Sequence, residues 1–73
     1  MEDKKVIYEI IIEIWNMAKE FGFKKLSDEE WEKFVDYGTA FRENFVKEGR
    51  SIDLLSREMF LALQHYYERK NDE

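Results

Sequence analysis

The chain has 73 residues and a mass of 9.0 kDa, which leaves room for a single domain over residues 1–73 with a small core. Charged residues make up 40% and hydrophobic ones 44%, a balance that favours a folded chain over a disordered one, while the formal charge of −5 opposes non-specific binding to nucleic acid or to an anionic membrane. With no Cys and one His, disulfides and thiolate zinc sites are excluded, and a reducing, cytoplasmic setting is expected.

A compact monomer of this mass exposes ~4,800 Å² and buries only about 60–65% of its unfolded surface, so its stability alone is expected to be modest. No Pro occurs and the three Gly residues are widely spaced, which is how a few long helices are punctuated.

The first helix is expected over 3–21. It starts near Asp3, with Glu2 favouring the positive end of the dipole, and stops at Gly22 in a left-handed C′ position, with Phe21 and Phe23 pinning the turn. Its stretch Val6 to Phe21 is unusual. At about 100° per residue its apolar side chains sweep roughly 240° of the wheel, whereas a surface helix shows a much narrower stripe. Val6, Ile10 and Met17 lie on one side of this arc; Tyr8, Ile12 and Trp15 lie on the other. Two sister helices can cover only part of it. Lys4 and Lys5 before an apolar run invite a signal-peptide reading, but Glu9 and Glu13 interrupt the run and no small-residue cleavage site follows. The same glutamates exclude a membrane span.

The second helix is expected over 28–48. Ser27 with Glu30 three residues on forms a capping box, and Leu26 can pack on Trp31 as a hydrophobic staple. Trp31, Phe34, Val35, Gly38, Phe41, Phe45 and Val46 then recur at helical spacing, with Glu29–Lys33 and Glu43–Lys47 as outer i,i+4 pairs. Gly38 costs about 1 kcal/mol relative to Ala inside a helix. Close approach of a neighbouring helix is the reason preferred here; a break at Gly38–Thr39 is the alternative.

The third helix is expected over 52–70, capped by Ser51, with Ile52, Leu55, Met59, Phe60, Ala62, Leu63, Tyr66 and Tyr67 facing the core and Asn71 to Glu73 fraying. Short connections between long helices imply antiparallel neighbours. The fold class expected is all-α, an antiparallel three-helix bundle with up-down-up topology.

Function must be sought on surfaces. His65 lies on a polar face, no inward carboxylate–histidine set exists, and no glycine-rich phosphate loop is present, so no catalytic activity, metal, cofactor or small-molecule substrate is expected. The candidate interface is Tyr8, Ile12 and Trp15 on helix one, with Arg42 on the apolar side of helix two, and Leu54 and Leu61 seven residues apart on the outer side of helix three. These residues point to a protein–protein interaction module, self-associating as a two-fold homodimer or meeting another protein. Two alternatives remain. Helix two, the Gly49-Arg50-Ser51 link and helix three have the connectivity of a helix-turn-helix nucleic-acid regulator, with Arg57, Gln64, Arg69 and Lys70 towards the groove, against the chain's acidity. Asp28, Glu29, Glu30, Glu32 and Asp36 could occupy the basic surface of another protein, although such a cluster is also what a helix N-terminus favours.

Overall fold

The computed structural model describes residues 3–73, so Glu2 and its expected role at the dipole lie outside the described residues. Three helices form a bundle: α1 (Asp3–Glu20), α2 (Asp28–Phe45), which tightens into a 3-10 turn over Val46–Glu48, and α3 (Arg50–Asp72). The longest, α3, makes the main packing with both α1 and α2. Along α2 and α3 the paired residues run in opposite order: Arg42 meets Asp53, Gly38 faces Phe60, and Phe34 packs on Tyr67. The molecule is elongated, measuring 41 × 17 × 16 Å.

The core is strongly aromatic. Phe34 is fully buried at its centre, with the rings of Phe60 (5.3 Å), Trp31 and Phe21 (5.4 Å each) and Tyr67 (5.6 Å) around it. Most of these pairs meet edge-on, the arrangement that aromatic quadrupoles favour. Val6, Ile10 and Met17 enter from α1, Phe41 and Phe45 from α2, Ile52 from α3, and Leu26 from the first loop.

α1 ends at Glu20, one residue early. Gly22 then takes φ +72° and donates its N–H to the Lys19 carbonyl at 3.1 Å. The capping box of α2 is complete: the Ser27 hydroxyl accepts from the Glu30 N–H at 3.2 Å, and the Glu30 carboxylate accepts from the Ser27 N–H at 2.9 Å. Lys24 joins the same carboxylate at 2.9 Å. The Ser27 backbone N–H first, and Lys24 second, hold the Glu30 carboxyl at about 2 instead of its ordinary 4.5.

α2 is unbroken at Gly38. A Cβ there would overlap the ring of Phe60, which is seated against the bare backbone, so close approach by α3 is why this position has no side chain.

Several expectations are corrected. Ser51 does not cap α3: Gly49 takes φ +108°, a conformation open to glycine, and admits the chain to the helix at Arg50, with the Gly49 carbonyl accepting from the Asp53 N–H at 2.9 Å. Asn71 does not fray, because its side-chain carbonyl accepts from the Leu26 N–H at 2.9 Å and draws α3 out to Asp72. Ala62 is exposed, whereas Ser56, on another line of the helix, is fully buried with its hydroxyl donating to the Asp53 carbonyl at 2.8 Å. A hydroxyl satisfied within its own helix can be buried at little cost. Among the described residues neither Glu29–Lys33 nor Glu43–Lys47 closes into an ion pair, as exposed flexible pairs gain little by ordering.

Gly38→Ala is expected to lower stability by about 1–2 kcal/mol, because displacing the Phe60 ring outweighs the helix-propensity gain of about 1 kcal/mol. In a Phe60→Ala background the same substitution should become stabilising, and denaturant unfolding of the four proteins measures this reversal of sign. Because the Glu30 carboxyl titrates lower in the folded chain than its ordinary value, its contribution is complete above the ordinary value and is lost as pH falls from about 4.5 towards about 2. Glu30→Gln should therefore lower the melting temperature near neutral pH, with the difference from the native protein narrowing through that window.

Candidate interaction surface

The apolar arc of α1 is divided by its neighbours. Val6, Ile10 and Met17 are buried, whereas Tyr8 (64% exposed), Ile12 (38%) and Trp15 (52%) face outward. Spacing of three, four and seven residues aligns them on one ridge spanning about 10 Å. Two residues join the ridge that were not singled out from the sequence. Ile11, 47% exposed, sits three positions after Tyr8 and four before Trp15, so the same periodicity could have found it. Phe23 is 45% exposed and packs its ring 6.0 Å from that of Trp15, while Phe21 alone turns inward. Phe23 lies at φ +56°, a conformation no helical pattern anticipates.

Lysines stand at both ends of the ridge, and Glu9, Glu13 and Glu48 line a depression beside Tyr8 and Ile12. Lys19 places its ammonium 5.6 Å from the centre of the Trp15 ring, and Lys4 and Lys5 are exposed at the other end. The folded chain exposes 5353 Å², roughly 10% above the ~4,800 Å² of a compact monomer of its mass.

The other candidate residues lie apart from this ridge. Arg42 is half-buried on the opposite flank of α2, with one guanidinium nitrogen 3.5 Å from the Asp53 carboxylate and a buried Nε that has no acceptor. It lines an open groove of about 410 Å³ between α2 and α3, with Val35, Thr39, Val46 and Gln64 along the walls and Phe60 over Gly38 at the floor. Val35 (56% exposed) and Val46 (51%) therefore belong to a surface, although their spacing reads as core. Leu54 is exposed and Leu61 half-buried on the side of α3 that faces away from Ile52, Ser56 and Tyr67. The structure thus unites Tyr8, Ile12 and Trp15 and does not bring Arg42, Leu54 or Leu61 to them.

Two polar groups of the bundle are held in intramolecular contacts. The fully buried Tyr67 hydroxyl donates to the Ala18 carbonyl at 2.7 Å and accepts from the Phe23 N–H at 3.1 Å; burial raises its pKa by disfavouring the phenolate. Glu30 of the acidic cluster is engaged in the capping box. Among the described residues no three or more metal-binding side chains gather, and no helix is long and apolar enough to cross a membrane.

No family model, no curated protein and no solved structure matches this chain.

The two sides of α1 should respond differently to truncation. Ile10→Ala, at a fully buried site, is expected to cost about 2–5 kcal/mol. Ile12→Ala should cost under about 1 kcal/mol when unfolding is followed at a dilution where the chain is monomeric.

Proposed function

We propose that this protein is a small, non-catalytic interaction module that associates with further copies of itself through the outer ridge of α1, and that it works in the cytoplasm. The observation that carries this reading is the gathering of Tyr8, Ile11, Ile12, Trp15 and Phe23 on one face of a 73-residue chain, each at least 38% exposed. Scattered single apolar side chains are ordinary on a protein surface, but a contiguous row of this size marks a contact site. Trp and Tyr are also the residue types that most often dominate binding energy, because they bury a large rigid area at small entropic cost.

Energetics favour the same reading. Burying a side chain of this size from full exposure contributes about 1.5–3 kcal/mol; with each already about half covered, roughly half of that remains per residue, and a row of five still reaches the lower range of the association cost, ~4 kcal/mol and upward. A domain whose core is limited by its length gains stability from association by mass action. The cytoplasmic setting rests on the absence of Cys.

Sedimentation velocity over about 1–100 μM tests the proposal. The native protein should show a mass above 9.0 kDa that rises with concentration, and Ile12→Glu should return it to the monomer with its helical circular dichroism intact. A native protein that stays monomeric throughout this range would overturn the reading, as would loss of the fold on Ile12→Glu, which would place Ile12 in the core.

A further inference from the structure

We infer that the α1 ridge docks head-to-tail, into the α2–α3 groove of a second copy, instead of meeting its own counterpart across a two-fold axis. The inference rests on the self-association proposed above and concerns its geometry. Two independent features carry it: shape and charge.

The ridge is built of large side chains standing off one helix, and on its α2 side Tyr8 and Ile12 also line a depression of about 460 Å³ with Asn44, Phe45 and Glu48. A two-fold contact would press one row of large side chains on another. The groove between α2 and α3 is concave, about 410 Å³ and open to solvent, because Gly38 lets the Phe60 ring sink to its floor while Val35 and Val46 stand at its walls. A row of side chains at helical spacing fits such a groove as a ridge between ridges.

Charge divides in the same way. Lys4, Lys5 and Lys19 lie along the ridge itself, one helical turn from Tyr8 and Trp15, while Glu9, Glu13 and Glu48 border a depression on its α2 side. The groove and the adjoining depression beside Trp31 and Val35 are bordered by Glu32, Asp36 and Glu43. Arg42 is the basic group at the groove, and its charge is opposed by Asp53. Consider α1 against α1 about a two-fold axis. The antiparallel alignment that sets Tyr8 against Trp15 of the other copy also sets Lys4 against Lys19, and the parallel alignment sets every lysine against itself. Head-to-tail docking puts the same lysines against carboxylates. Individually such exposed pairs are weak, but their sign selects between two modes that bury similar apolar area. A heterologous contact of this kind leaves one ridge and one groove free at the ends, so assembly proceeds beyond two chains unless the rotation closes a ring.

Complementation between two surface variants tests this. Ile12→Glu removes the ridge and keeps the groove; Val35→Glu removes the groove and keeps the ridge. Each is expected to be monomeric alone in sedimentation velocity, and their equimolar mixture should give a complex of two chains and nothing larger. Val35→Glu associating as the native protein does would overturn the head-to-tail contact while leaving self-association through the ridge standing. Two monomeric variants that give no mixed complex would overturn it as well. A native protein that never associates would instead remove the reading beneath it. Lys19→Glu, at an exposed site outside the buried core, supplies a second measurement. Head-to-tail docking predicts about two- to fivefold weaker association; an antiparallel two-fold ridge contact predicts tighter association, since the new carboxylate would face Lys4, and a parallel one, in which residue 19 faces itself, predicts no weakening.

Discussion

The bundle depends on one phenol. Tyr67, fully buried near the end of α3, reaches to where α1 terminates: its hydroxyl donates to the Ala18 carbonyl and accepts from the Phe23 N–H. A helix end leaves carbonyls without partners, and a buried hydroxyl without hydrogen bonds is costly, so each group here satisfies the other's need. The tyrosine ring meanwhile lies within 5.6 Å of Phe34 and 6.3 Å of Phe21, which ties the polar clamp to the aromatic core. One turn further along α3, Asn71 accepts from Leu26. The last two turns of α3 therefore close the loop between α1 and α2, and they allow Phe23 to sit at φ +56°, where a non-glycine residue is strained.

What could be read in the sequence was what is decided locally or by simple periodicity. Ser27 and Glu30 lie within one turn, so their reciprocal bonds follow from their spacing. Gly22 follows from the need for a left-handed residue after α1, and Gly38 from the cost of glycine inside a helix that must have a packing reason. Of the misread features, some depend on a partner distant in the chain and others on backbone turns or helix rotation that periodicity does not reveal. Asn71 looks like a fraying end until Leu26, 45 positions away, needs an acceptor. Ser51 looks like a better cap than Gly49, yet the turn out of the 3-10 segment requires positive φ, and that decides where α3 begins. Val35 and Val46 have core spacing on α2, but the line they share with Thr39 runs along the edge of a groove instead of against α3.

The candidate site was legible in the same limited way. Periodicity showed that α1 carries more apolar arc than a small bundle can cover, and it separated Tyr8, Ile12 and Trp15 from Val6, Ile10 and Met17. It could not show that Phe23 would join from the loop. Nor could it show that Arg42, Leu54 and Leu61 stand on other faces, because that depends on how the helices are rotated against one another.

That rotation links the exposed ridge to Tyr67. α1 presents a polar flank, Glu13, Asn16 and Glu20, towards Tyr37, Ala40 and Asn44 of α2. Turning α1 about its own axis would exchange part of this polar flank for Ile12 or Trp15 and bury more apolar surface. The same turn would carry the Ala18 carbonyl away from the Tyr67 hydroxyl and pull Phe21 out of the aromatic cluster. A buried hydroxyl stripped of its partners costs about 1–3 kcal/mol, and losing Phe21 from the core costs about 3 kcal/mol or more. Those losses act on buried groups and cannot be recovered from solvent. The apolar side chains left outside can still be buried by a second molecule. The clamp at the end of α1 thus sets which face of the helix is internal, and by doing so sets which face remains for a partner.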